Sequence, residues 1–165
     1  MSVRLLPELL DANEHYAETF HWGELTREPR RGYAVVTCMD ARIVPTHMLG
    51  IDYGDANVLR NAGALVTEDV LRSLVVSHHL LGTNQAIVVG HTDCGLQAFT
   101  DGEINRRIEA ELNTTAAMEV LAFENVDASV VASVERIRRC ELLPESYGSA
   151  GFVYDVRTGR LRQLA

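Results

Sequence analysis

The sequence lacks the features that mark membrane, secreted and nucleic-acid-binding proteins. No apolar run approaches the roughly 20 residues that a helix needs to cross a bilayer. The first ten residues carry one arginine and a leucine patch broken by Pro7 and Glu8, which is not the pattern of a signal peptide. Lys and Arg total 15 against 23 Asp and Glu, and the net charge of −8 disfavours contact with nucleic acid or anionic membranes. Cysteine is scarce: the three residues are an odd number without disulfide-framework spacing, which favours a reducing cytoplasm.

The composition is that of an ordinary globular protein, with 47% hydrophobic and 23% charged residues in a chain of 165. We expect a single domain over residues 1–165, in which residues 1–25 form an N-terminal helical arm. The arm shows apolar residues at helical spacing between positions 5 and 20: Leu5, Leu6, Leu9, Leu10, Tyr16 and Phe20. This apolar stripe needs a partner surface.

Strand and helix patterns alternate after the arm. Short apolar, β-branched runs predict strands over 33–37, 56–59, 86–89 and 151–156, with a return strand over 161–164. Helices are predicted over 43–49, 68–81 and 126–138, with another starting near Cys94 and Gly95. Residues 101–125 are polar and helix-prone, without clear boundaries. The predicted fold class is α/β: a mainly parallel β-sheet flanked by helices, with the N-terminal arm and a C-terminal edge strand or hairpin.

Cysteine and histidine follow two of the predicted strands. Cys38 ends the first strand, and His91 and Cys94 follow the third. Because ligand sites of open α/β sheets lie beyond the carboxyl ends of the strands, the three side chains meet if these strands are neighbours. Two thiolates and an imidazole are a zinc ligand set, and three protein ligands leave one position open, as in catalytic sites. Each cysteine alone would be read as a core residue, and Cys140, which lacks such company, is read as a free thiol.

Other polar residues lie beside this cluster. Asp40 points to the same side as Cys38, as a fourth metal ligand or a hydrogen-bond partner of the metal's water. Arg42 can hold Asp40 off the metal by a bidentate pair, although the two could form a plain surface ion pair. Asn61 and Gly63, at the end of the second strand, are candidate substrate-binding residues.

Three further residues are considered for proton transfer. His78 and His79 titrate near neutrality and could carry protons, but a core role for His78 and a solvated one for His79 are favoured. Asp93 could transfer protons or cap a following helix.

The motifs resemble those of the β-class carbonic anhydrases. The resemblance rests on Cys38-x-Asp40-x-Arg42 and His91-x-x-Cys94-Gly95, with support from residues 60–63 and 151–159. It is nearest to the short bacterial branch that includes carbonyl sulfide and carbon disulfide hydrolases. The resemblance implies one zinc ion per chain on the two cysteines and the histidine, and a catalytic dyad of Asp40 and Arg42. It also implies a homodimer or dimer-based tetramer, with the arm packed on the neighbouring subunit.

The chain departs from the family pattern at three places. Residues 27–31 lack the glutamine that many members use to bind substrate, and the helix over 68–81 lacks an aromatic residue. Val35 stands where some members carry a tryptophan tied to a non-catalytic bicarbonate site, so bicarbonate inhibition of that type is not expected. The pocket wall, and with it the preferred substrate, is left open.

These observations favour a zinc lyase that reversibly hydrates carbon dioxide to bicarbonate and a proton. The first alternative is hydrolysis of carbonyl sulfide or carbon disulfide at the same zinc. The second is a non-catalytic zinc-binding or regulatory protein in which Asp40 closes the site. A thiol redox protein using Cys38 and Cys94 is disfavoured by the lack of a Cys-x-x-Cys pair. The expected partner is a small-molecule substrate, with no nucleic-acid or membrane partner.

Overall fold

The computed structural model describes residues 6–165, so Leu5 of the predicted arm lies outside the described residues. Its centre is a five-stranded sheet in the order β2-β1-β3-β4-β5. The first four strands are parallel and β5 is antiparallel to β4. The strands are β1 Tyr33–Cys38, β2 Ala56–Asn61, β3 Gln85–His91, β4 Gly148–Tyr154 and β5 Leu161–Gln163. The predicted fold class is therefore confirmed, including the C-terminal edge strand.

Five helices accompany the sheet: α1 Leu6–Glu18, α2 Pro45–Leu49, α3 Glu68–Leu81, α4 Asp101–Leu112 and α5 Val126–Arg138. The main core is apolar: β1 and β3 contribute Val36 and Val88, and α3 and α5 pack Leu74 and Val134 against them. All four side chains are fully buried, as expected for central parallel strands covered by helices.

The chain after β3 differs from the predicted helix at Cys94 and Gly95. A single 3₁₀ turn, Gly95–Gln97, forms there, and the regular helix α4 begins only at Asp101. The start of α4 is fixed by a capping box in which Thr100 and Glu103 bond each other's backbone N–H groups. No side chain caps the 3₁₀ turn, so Asp93 is not a helix cap. From residue 114 to residue 125 the chain forms neither helix nor strand.

The arm is the most exposed part of the fold. No residue of α1 is buried, and Leu6, Leu9 and Leu10 are each more than half exposed. An aromatic stack holds the base of the arm on the body of the protein, with the ring centroids of Trp22 and Tyr53 4.1 Å apart. Within residues 6–165, no helix combines the length and the apolar character needed to cross a bilayer.

Candidate metal centre

The sheet order brings the predicted ligands together. Since β1 and β3 are parallel neighbours, they end at the same edge, with Cys38 closing β1 and His91 closing β3. Cys94 lies in the turn that follows. The ligand atoms of these three side chains lie within 4.8 Å of one another, and all three residues are buried. The structure thus places two thiols and one imidazole at a common point.

The histidine at this point has a free nitrogen. His91 Nδ1 lies 2.9 Å from the Thr92 carbonyl oxygen, which fixes the proton on Nδ1. The other nitrogen, Nε2, is buried and has no hydrogen-bond partner among the described residues. An unpartnered buried nitrogen is costly, and a metal ion at the two sulfurs would satisfy it.

The two cysteine side chains are in contact, and this contact shifts their pKa values in opposite directions. The Cys94 thiol beside it lowers the pKa of Cys38 to about 3, although burial opposes the shift. The nearby His91 imidazole and the backbone N–H groups of Asp40 and Gly63 lower the pKa of Cys38 further. The same contact raises the pKa of Cys94. Two cysteine sulfurs and a buried imidazole nitrogen without a hydrogen-bond partner form a donor set that fits zinc, which binds cysteine as thiolate.

A carboxylate and a guanidinium flank the cluster. Arg42 grips Asp40 in a bidentate pair, with Nε 3.0 Å from Oδ1 and Nη2 2.8 Å from Oδ2. This pair holds the pKa of Asp40 well below its usual range. Asp40 Oδ2 lies 3.8 Å from His91 Nε2, so the carboxylate stands next to the metal position while Arg42 holds it.

Two further residues, Arg60 and Asp93, hold the dyad in place, although the sequence did not predict this role for either. Arg60, at the end of β2, donates from Nε to the Cys38 carbonyl oxygen at 2.9 Å and from Nη2 to that of Asp40 at 2.8 Å. Asp93 accepts from Arg42 Nη1 on Oδ2 at 2.8 Å and from Nη2 on its carbonyl oxygen at 2.9 Å. In the sequence, Arg60 is marked only by its position directly after a predicted strand, and Asp93 only by its position between two predicted ligands.

The candidate substrate-binding residues lie beside the cluster, in and before the 3₁₀ turn Ala62–Ala64. The Asn61 amide bonds both backbone groups of Leu65, at 2.7 and 3.0 Å, so it supports its own loop. Gly63 has φ +80°, and its backbone N–H is one of the groups that lower the pKa of Cys38. Half-buried Leu65, Val120 and Phe123 are among the apolar side chains packed against this cluster. Substrate binding by Asn61 and Gly63 stays a prediction.

The histidines considered for proton transfer lie elsewhere. His78 Nδ1 is 2.6 Å from the Thr83 carbonyl oxygen, just before β3, and His79 Nε2 is 2.9 Å from that of Leu142. His91 closes the opposite end of β3, about 20 Å away for a seven-residue strand. The structure therefore agrees with the favoured interpretation, in which His78 and His79 do not transfer protons at the candidate metal centre. Cys140 packs against the main core and not against the metal cluster.

Three side chains that could bind a metal, with an adjacent acid–guanidinium pair at the carboxyl edge of a parallel sheet, are typical of α/β metalloenzymes. Comparison with known proteins narrows the class. The family model described as carbonic anhydrase matches residues 33–161. The chain belongs to the β-carbonic anhydrase family, whose members are lyases.

Individual relatives span nearly the whole chain. The β-carbonic anhydrase 1 of Mycobacterium tuberculosis is 40% identical over 157 residues, covering 95% of this chain and 96% of its own. A crystal structure of carbonic anhydrase from Streptococcus mutans superposes with a TM-score of 0.94 at 37% identity and covers both chains fully. A carbon disulfide hydrolase of Acidianus is 34% identical over 153 residues, covering 78% of this chain and 75% of its own.

Proposed function

We propose that this protein reversibly hydrates carbon dioxide to bicarbonate and a proton, using one zinc ion per chain held by Cys38, His91 and Cys94. The observation that carries the proposal is the buried His91 Nε2, which has no hydrogen-bond partner in the described chain and lies beside two sulfurs. Membership of the β-carbonic anhydrase family supports the choice of metal and substrate.

The chemistry divides between the metal and the dyad. Zinc, when bound, acidifies water so that hydroxide is available near neutral pH. Asp40 accepts a hydrogen bond from the attacking oxygen and orients its lone pair toward the carbon of the substrate. Arg42 keeps the Asp40 carboxylate in the bidentate pair and thereby keeps the fourth ligand position free.

A second candidate function is hydrolysis of carbonyl sulfide or carbon disulfide at the same centre. It is favoured by the similarity to the Acidianus carbon disulfide hydrolase and by the apolar residues around the cluster. The attack on carbon is the same, and the shape of the pocket decides between the substrates.

The test combines metal analysis with two rate assays, CO2 hydration by stopped flow and sulfide release. We expect one zinc per chain and CO2 turnover, and we expect Asp40→Asn to keep the zinc while losing about 100-fold or more in rate. The matched control is Asp69→Asn, because the Asp69 carboxylate forms an exposed pair with Arg72, 2.9 Å away on α3. Sulfide release with negligible CO2 turnover would reverse the ranking, and zinc without any turnover would identify a binding protein closed by Asp40.

We also propose a cytoplasmic homodimer, or a tetramer built from dimers, in which residues 1–25 of a single domain pack on the neighbouring subunit. The exposed leucines of α1 and the free thiols support this assignment. Analytical ultracentrifugation tests the assembly: Leu9→Glu on α1 should shift the protein toward monomer, and an unchanged mass would contradict the role of the arm.

A further inference from the structure

Helix α4 holds the irregular chain that follows it through one polar face. Asp101, Asn105 and Glu109 are spaced four residues apart, so they align along the helix. All three are half-buried. Their side chains bond the backbone of residues 116–122, which we call the clasped segment.

The bonds follow the segment in order along the helix. The Asp101 carboxylate accepts the backbone N–H groups of three successive residues, at 3.0, 3.3 and 2.9 Å for positions 120, 121 and 122. The Asn105 amide accepts the N–H and donates to the carbonyl oxygen of Met118, both at 3.0 Å. Glu109 accepts the N–H of Ala116 at 3.1 Å. The segment thus obtains from side chains the backbone bonds that a sheet would otherwise supply.

The end of the clasped segment reaches the metal centre. Val120 and, one residue beyond the segment, Phe123 pack against the apolar cluster that contains Cys38. A Cβ atom at Gly63 would lie only 2.9 Å from Phe123 Cε1. Cys38 pairs across the sheet with Asn61, two residues before Gly63, so the Phe123 ring packs on the loop that lies beside Cys38.

We propose that Phe123 is a specificity-determining wall of the metal pocket, and that Asp101 and Asn105 are positioning residues that place it through the clasped segment. This proposal rests on the proposed function. A ring fixed over Gly63 narrows the approach to the metal, which favours the smaller carbon dioxide over carbon disulfide with its larger sulfur atoms. Loss of the side-chain hydrogen bonds to the clasped segment moves Phe123 and weakens the preference for carbon dioxide.

The main variant is Asn105→Ala, because alanine in mid-helix does not weaken α4 itself. Glu111→Ala is the matched control, since Glu111 is exposed on the same helix and has no hydrogen bond to the segment. In the zinc-loaded protein, Asn105→Ala should speed amide hydrogen exchange in residues 116–123 by about tenfold, with exchange in α3 unchanged. Removal of zinc by pyridine-2,6-dicarboxylate should also become about threefold faster or more, because the chelator enters past the same wall.

The selectivity readout is the ratio of carbon disulfide to carbon dioxide turnover. We expect this ratio to rise by about threefold or more in Asn105→Ala and in Phe123→Ala, and the double variant to add nothing to Phe123→Ala alone. Unchanged rates of hydrogen exchange and zinc removal in Asn105→Ala would show that Asn105 does not position the clasped segment. An unchanged ratio of carbon disulfide to carbon dioxide turnover in Phe123→Ala would show that Phe123 does not determine specificity. If the unsubstituted protein turns over neither substrate, the proposed function and the wall both fail, while exchange and zinc removal still decide the clasp.

Discussion

Replacing Gly63 with alanine tests the packing over the metal centre. Gly63 has φ +80°, in the left-handed region that L side chains rarely adopt. A Cβ atom there would lie 2.8 Å from Leu96 Cδ1 and 2.9 Å from Phe123 Cε1, well inside ordinary contact. The substitution therefore adds both backbone strain and steric overlap.

The two costs can be given magnitudes. A non-glycine residue in the left-handed region costs about 1–2 kcal/mol, and an extra methyl group in a packed interior costs about 1–3 kcal/mol. Their sum predicts that Gly63→Ala loses about 2–5 kcal/mol of unfolding free energy. The substitution also displaces the loop beside Cys38, so zinc should bind more weakly.

The assay is urea unfolding of the zinc-loaded protein at one fixed protein concentration. Gly82→Ala is the control, because Gly82 has φ +74° and a Cβ atom there meets nothing within 4 Å. The control should lose only the backbone part, about 1–2 kcal/mol. If Gly63→Ala loses no more than Gly82→Ala, then Leu96 and Phe123 do not close over this turn and the described packing is wrong.

Two further predictions concern carboxylates that form ion pairs with arginine. Asp93→Ala should lower CO2 turnover by about two- to tenfold, because Arg42 loses one of its two hydrogen-bonding carboxylates. Zinc content and unfolding free energy should stay nearly unchanged, since the Arg42–Asp93 pair is exposed. An unchanged rate of CO2 turnover would contradict this role of Asp93. The pKa of Asp55 is lowered by the backbone N–H of Asp52 and by two neighbouring arginines. The ionised carboxylate therefore stabilises the folded protein fully above pH about 4, and this contribution is lost as pH falls through the lowered pKa. Urea unfolding should therefore show a penalty for Asp55→Asn that is largest near pH 7 and shrinks in acid, and a penalty independent of pH would refute it.

The sheet and the meeting of two cysteines with one histidine were predictable because local pattern and general topology agree. The β-branched run before Cys38 and the apolar run before His91 predict buried parallel strands. Parallel neighbours end at one edge, so convergence of the ligands follows without knowledge of side-chain conformation.

The supports of the site were not predictable, because they depend on backbone conformation and on distant contacts. Asp93 reaches Arg42 from a backbone with φ +56°, a conformation that no local pattern of the sequence indicates. Arg60 acts through the carbonyl oxygens of another strand's loop. The clasped segment carries no apolar periodicity, and the side chains that hold it belong to a helix whose boundaries the polar sequence of residues 101–125 did not define.

The aromatic stack at the base of the arm makes the protein's own fluorescence a selective probe. Trp22 is the chain's single tryptophan, and its ring centroid lies 3.9 Å from that of His21 and 4.1 Å from that of Tyr53. Its emission therefore reports on the packing of the base of the arm against Tyr53. Exchange of subunits in the proposed dimer should therefore change this signal without any added dye.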